Sequence, residues 1–149
     1  MVTTVGNETA FEDLVKNLIL LEYDAIAAYE STIERLDDKG LSGQVDAFRQ
    51  DHLQHLETLN DMARSVGIEP PTGGDMKQLL TTGKIVLANL MGDSAILKAM
   101  KTNEDDTVTA YERAASHADA IPKSRAFFEK ALADERRHRG WMERTAEAL

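Results

Sequence analysis

Apolar residues recur along this chain at alternating steps of three and four, the period of a helix with one buried face. The first such seam is Val15, Leu18, Glu22, Ala25, Tyr29, Ile33 and Leu36. Asn7 to Thr9 is expected to open this helix, with Thr9 and Glu12 at the spacing of a capping box. Asp37 to Gly40 should close it, with Gly40 as the C-terminal cap. A second helix, capped by Ser42 and running to about Arg64, carries the seam Val45, Phe48, His52, His55, Leu59, Met62 and Val66. Pro70, Pro71, Gly73 and Gly74 then break the pattern. A shorter helix over Met76 to Met91 is expected to lead back along the molecule. Gly92 and Asp93 read as a break and an N-cap for a third long helix, to about Ala118, with the seam Leu97, Met100, Glu104, Thr107, Tyr111, Ala114 and Ala118. Pro122 suits the first turn of the last helix, whose seam is Phe128, Ala131, Glu135, His138, Met142, Thr145 and Leu149. The pattern predicts an all-α chain with four long helices.

Six residues intrude on these apolar seams: Glu22, His52, His55, Glu104, Glu135 and His138. Their placement repeats. Glu22 precedes Tyr29 by seven positions and Glu104 precedes Tyr111 by seven, with Ala28-Tyr29-Glu30 echoed in Ala110-Tyr111-Glu112. His52 and His55 map onto Glu135 and His138 in the same way. Residues three apart on a helix share a face, so two hairpins, each with an acid on its first helix and an x-x-His pair on its second, would bring all six inward.

Burying an ionised carboxylate or an unpaired imidazole costs several kcal/mol, so six could cancel the roughly 5–15 kcal/mol net stability of a domain. A divalent cation satisfies such ligands together, and imidazole with carboxylate suits iron, manganese or zinc. One seam acid alone is ordinarily explained by a Lys or Arg partner, and one seam histidine by a core hydrogen bond; repetition of the set favours metal. Tyr29 and Tyr111 read either as core aromatics whose hydroxyls bond seam carboxylates or as redox residues. Glu30 and Glu112 lie off the seam and read as solvated, His117 as a helix-end dipole contact, and Arg136, Arg137 and Arg139 as a solvated face, with pairing to the site acids as the alternative.

The length of 149 residues fits one domain. A net charge of -9 argues against nucleic acid or an anionic membrane as partner and suits a protein that handles cations. No cysteine is present, which excludes disulfides and thiolate metal sites. No apolar run approaches a membrane span and no signal-peptide pattern opens the chain, so a cytoplasmic protein is expected.

Glu22 with Tyr29, and Glu135-x-x-His138, resemble the ferritin-like superfamily of ferritins, bacterioferritins, rubrerythrins and related di-iron carboxylate proteins, from Phe11 onward. The resemblance is closest to a short bacterial ferritin-like family of unknown function. It implies an up-down four-helix bundle with a long crossover between helices 2 and 3 carrying a short extra helix. Residues 1–149 would form one domain of two hairpins, about 8–66 and 93–149, joined by 67–92.

The resemblance also implies a di-iron site, with Glu22 and Glu104 as terminal carboxylates, Glu135 as the bridge, and His52, His55 and His138 as nitrogen ligands. Tyr29 and Tyr111 would orient carboxylates or donate an electron. One position departs from the pattern: His52 stands where the family carries a bridging Glu. Asp51, Glu30 or Glu112 then supplies the missing oxygen, or two metals are ligated differently, or one metal remains, zinc being a candidate.

The expected function is a metal-binding bundle that reacts with dioxygen or peroxide or handles iron, with a homodimer through exposed helix faces. The alternative is a non-catalytic, stress-associated structural or interaction bundle with a vestigial or zinc-stabilised site.

Overall fold

The computed structural model describes residues 3–73 and 90–149. They form four helices: α1 Phe11–Arg35, α2 Lys39–Ser65, α3 Asp93–Ala115 and α4 Pro122–Ala148. No strand occurs among the described residues. The crossover helix expected over 76–91 falls outside them except at Leu90 and Met91, which are not helical.

Only Leu36, Asp37 and Asp38 separate α1 from α2, a length that forces antiparallel packing. Asp38 makes the turn, its carboxylate accepting from the Gly40 and Leu41 amides at 2.8 and 3.4 Å. This corrects the expected boundary. Asp38 is the N-cap, Gly40 lies in the first turn of α2, and Ser42 is buried and donates to Ile33 O at 3.1 Å. Asp can satisfy the free amides of a first turn, so it takes the cap before Ser42 can. Two further ends differ from expectation. α1 begins at Phe11 after Ala10 with no side-chain cap, and Asp93 turns its carboxylate to the Asp37 and Asp38 amides, 2.8 and 3.0 Å away. α2 ends as expected near Arg64, through Gly67 at φ 81. The Gly67 amide reaches Arg64 O and the Ile68 amide reaches Ala63 O, a Schellman closure that the positive φ of glycine permits.

Asp93 against Asp37 and Asp38 at one end, and His117 Nε2 donating to Glu8 O at 2.8 Å at the other, set α3 antiparallel to α1. His117 Nδ1 accepts from the Asp119 amide, so the ring is bonded to backbone at both nitrogens just beyond the end of α3, where a helix-end dipole contact was expected. α1 packs on α2 and α3, and α4 packs on α3 and α2, closing a ring of four. α2 ends and α3 begins at opposite ends of the bundle, the separation that a long crossover has to bridge.

The apolar core falls into two parts. One contains Phe11, Leu14, Leu18, Leu59, Tyr111 and Phe128; the other contains Tyr29, Leu36, Val45, Phe48, Leu97 and Met142. At roughly 1.5–3 kcal/mol for each large side chain removed from water, these two ends hold the bundle closed around the polar residues between them. No helix among the described residues is long and apolar enough to cross a membrane.

Candidate metal centre

All six seam intruders are buried, none more than 1% exposed. They form two groups of four, Glu22, His52, His55 and Glu135, and His52, Glu104, Glu135 and His138, whose donor atoms within each group lie within 4.8 Å of one another. His52 and Glu135 belong to both. His55 Nδ1 is 3.4 Å from Glu22 Oε1 and from Glu135 Oε1. Glu135 Oε2 is 3.5 Å from both His52 Nε2 and His138 Nδ1, and Glu104 Oε1 is 3.6 Å from His52 Nε2.

Around this set the hydrogen bonds cross from one half of the chain to the other. Tyr111 on α3 donates to Glu22 on α1 at 2.7 Å, and Tyr29 on α1 donates to Glu104 on α3. His138 Nε2 donates to Asp51 Oδ2 and His55 Nε2 to Asp134 Oδ2, both at 2.8 Å. Each outer nitrogen is occupied, so the inner Nδ1 of both rings is turned toward the carboxylates. Arg137 spans the two outer acids, 2.8 Å from Asp51 and 3.2 Å from Asp134. Its guanidinium also lies over the Phe48 ring.

Of the three candidates for the missing oxygen, Asp51 is turned by one helical step to the outer side of His138, and Glu30 and Glu112 are exposed. Arg137, with its side chain half exposed, pairs with the acids behind the site, the second of the two readings of the arginine run. Asp134 and Thr107 carry roles that the seam did not reveal. The Thr107 hydroxyl lies 2.8 Å from Glu104 Oε2 and 3.0 Å from Glu135 Oε2, joining two carboxylates. The repeat contained the signal for Asp134, because Asp51 and Asp134 precede His52 and Glu135, which the repeat already pairs.

The electrostatics follow from three carboxylates and three imidazoles in one buried space. Burial would raise the Glu22 carboxyl, but the His52 and His55 rings beside it hold it well below the usual carboxylate range. Burial opposes charge on His52, yet Glu135 and Glu22 raise its pKa well above the ordinary value. His55, hydrogen-bonded to Asp134, is likewise pushed up against its burial, to about 11. Burial and the neighbouring Glu135 charge push Glu104 up to about 7. Burial raises Tyr29 and Tyr111, and the carboxylates add to the effect, so both phenols stay protonated. Burial lowers His138.

The donor set fits a cation. Five buried side-chain polar atoms among the described residues lack a hydrogen-bond partner, and four of them are His52 Nε2, His55 Nδ1, Glu135 Oε1 and His138 Nδ1. Unpaired buried polar atoms are rare and costly. Here they converge within two groups of nitrogen and carboxylate donors, the chemistry that iron, manganese and zinc accept.

No curated protein and no solved structure matches the chain. Residues 10–117 match a family model described as "Domain of unknown function (DUF2383)", over α1, α2 and α3. The chain therefore belongs to the DUF2383 family.

Proposed function

We propose that this protein is a ferritin-like metal-binding bundle holding two divalent cations, iron or manganese, that react with dioxygen or peroxide. The observation that carries the reading is the pair of four-donor groups sharing His52 and Glu135, with four partnerless atoms among their donors. Glu22, His52, His55 and Glu135 would hold one cation, and His52, Glu104, Glu135 and His138 the other. When bound, iron or manganese would supply the electrons that reduce an oxygen species.

The chain's own residues do the rest. Asp51 and Asp134 orient His138 and His55 and strengthen them as donors, while Tyr29 and Tyr111 fix the rotation of Glu104 and Glu22. Thr107 links Glu104 to Glu135 and can pass a proton between them. Beside Thr107, Asp24, Ala25 and Ala28 of α1 and Asn103 and Asp106 of α3 border a cavity of about 30 Å³. That space admits one water-sized molecule. The two helical cores keep bulk water away on either side.

A second reading, a structural bundle with a zinc-stabilised site, is favoured by the complete burial of the ligands. Metal content per chain by mass spectrometry separates the two, using protein expressed with iron supplementation beside a His52→Ala, Glu135→Ala double variant. Close to two irons or manganese per chain, lost in the variant and followed by peroxide-dependent spectral change, supports the first reading. One zinc, or no metal and an unchanged melting temperature in the variant, rejects it.

A further inference from the structure

His52 differs from the other two site histidines in one respect. His55 and His138 each give the outer nitrogen to an aspartate and turn only Nδ1 inward. His52 has no such partner behind it. Its Nδ1 is 2.8 Å from Glu22 Oε2, and its Nε2 is 3.6 Å from Glu104 Oε1 and 3.5 Å from Glu135 Oε2. Both nitrogens therefore face candidate ligands, one in each group. Glu135 is divided in the same way, Oε1 toward His55 and Oε2 toward His138. The two divided residues occupy equivalent places in the internal repeat.

We propose that His52 bridges the two cations as an imidazolate, Nδ1 to the cation shared with Glu22 and His55, and Nε2 to the cation shared with Glu104 and His138. The proposal rests on the two-cation reading above. As the cations bind, the ring protons on Nδ1 and Nε2 pass to solvent and each nitrogen lone pair becomes a metal bond. Charge supports this arrangement. Three carboxylates and one imidazolate carry four negative charges against the four positive charges of two divalent cations, whereas a neutral His52 leaves one charge uncompensated by the donor set in a buried site. An imidazolate thus supplies the two donor ends and the single negative charge that a carboxylate at position 52 would bring. It also gives each cation two nitrogen and two carboxylate ligands, so the two sites are matched in donor type.

The test uses the full chain with ¹⁵N-labelled histidine, stripped of metal and reloaded with ¹¹³Cd(II), with cadmium per chain measured by mass spectrometry. Two cadmium ions per chain are expected, with ¹¹³Cd–¹⁵N coupling at both ring nitrogens of His52. His55 and His138 should couple through Nδ1 only and keep an Nε2 proton. Two cadmium ions with His52 coupled through a single nitrogen overturn the bridge while leaving the two-cation reading standing. One cadmium ion per chain overturns both. A His52→Gln variant, close in size but unable to donate at two ends as an anion, should bind the second cadmium at least tenfold more weakly. His52→Glu should retain both ions. Equal binding of two ions by wild type and His52→Gln also overturns the proposal.

Discussion

Asp134 on α4 accepts the Nε2 proton of His55 on α2 across 2.8 Å, and this bond decides which nitrogen His55 offers to the interior. The carboxylate is itself held by Lys130 at 2.7 Å and Arg137 at 3.2 Å. Burial would raise it, but the His55 hydrogen bond and Lys130 keep it well below its ordinary range. Replacing it by Asn leaves the shape but removes the charge that fixes the tautomer. Asp134→Asn should weaken cation binding about 10–100-fold, the usual effect of losing a partner behind a histidine ligand. Competition against a chelating dye measures this, and an unchanged affinity would show that the outer acids do not act on the site. Asp51→Asn should behave alike through His138.

Removing the metal should lower the melting temperature. A ligand present at about a thousand times its Kd stabilises by about 4 kcal/mol. For a chain of this size, each kcal/mol is worth about 2–4 °C. Addition of a strong chelator should therefore lower Tm by roughly 10 °C in a thermal scan, and re-addition of the cation should restore it. A scan indifferent to chelator argues that the buried set is held by protons alone.

Chelator-treated protein should have an acid-shifted stability optimum. Glu22, Asp51 and Asp134 are held below their ordinary values, so their contribution is present above about pH 4 and is lost as pH falls. His52 and His55 are raised, so their contribution is complete below their unfolded value of 6.5 and is lost as pH rises toward the His55 value of about 11. Glu104 acts in the same direction, because its rise from 4.5 to about 7 means that the folded state holds the proton more tightly over that interval. His138, lowered, opposes the trend as one group against several. Urea midpoints should peak near pH 5 and decline to pH 9 without metal. With metal the order reverses, because the ligands must lose protons to bind. A metal-free midpoint that rises between pH 5 and 9 contradicts the proton arrangement.

Tyr111→Phe removes the donor to Glu22 Oε1 and leaves that oxygen buried with one partner fewer. A cost of about 1–3 kcal/mol is expected in the metal-free protein. Cation binding should recover part of it, since the carboxylate then has a metal partner. Tyr29→Phe, through Glu104, should give a similar loss. Denaturation midpoints with and without cation check both, and losses equal in the two conditions would separate the tyrosines from the metal ligands.

The seam periodicity located every member of the buried donor set, because a helix in a bundle admits a charged residue to its buried face only when something there compensates it. Glu22, Glu104 and Glu135 were conspicuous for that reason. Helix ends were less legible. Asp38, Gly40 and Ser42 are all credible caps, and the choice among them is made by which backbone amides the fold leaves free. Asp134, and the partners of Asp51 and Arg137, were hidden by position beside the seam, where an acid or base is usually solvated and local spacing carries no record of a partner on another helix. The repeat alone linked the two acids. Thr107 escaped because a threonine on a buried face needs no compensation beyond its own backbone, yet it joins Glu104 and Glu135.

The crossed bonds, Tyr29 to Glu104, Tyr111 to Glu22, His138 to Asp51 and His55 to Asp134, are those of a two-fold dimer of hairpins written into one polypeptide. Two separate identical hairpins would have to place the same residue at both central positions, two histidines or two glutamates. Joined in one chain, the halves are free to differ: His52 stands opposite Glu135, and Ala25 holds the place that Thr107 fills in the other half. Covalent linkage thus makes symmetry breaking available to the centre, so its two ends can be tuned to unequal tasks while the surrounding bonds remain alike.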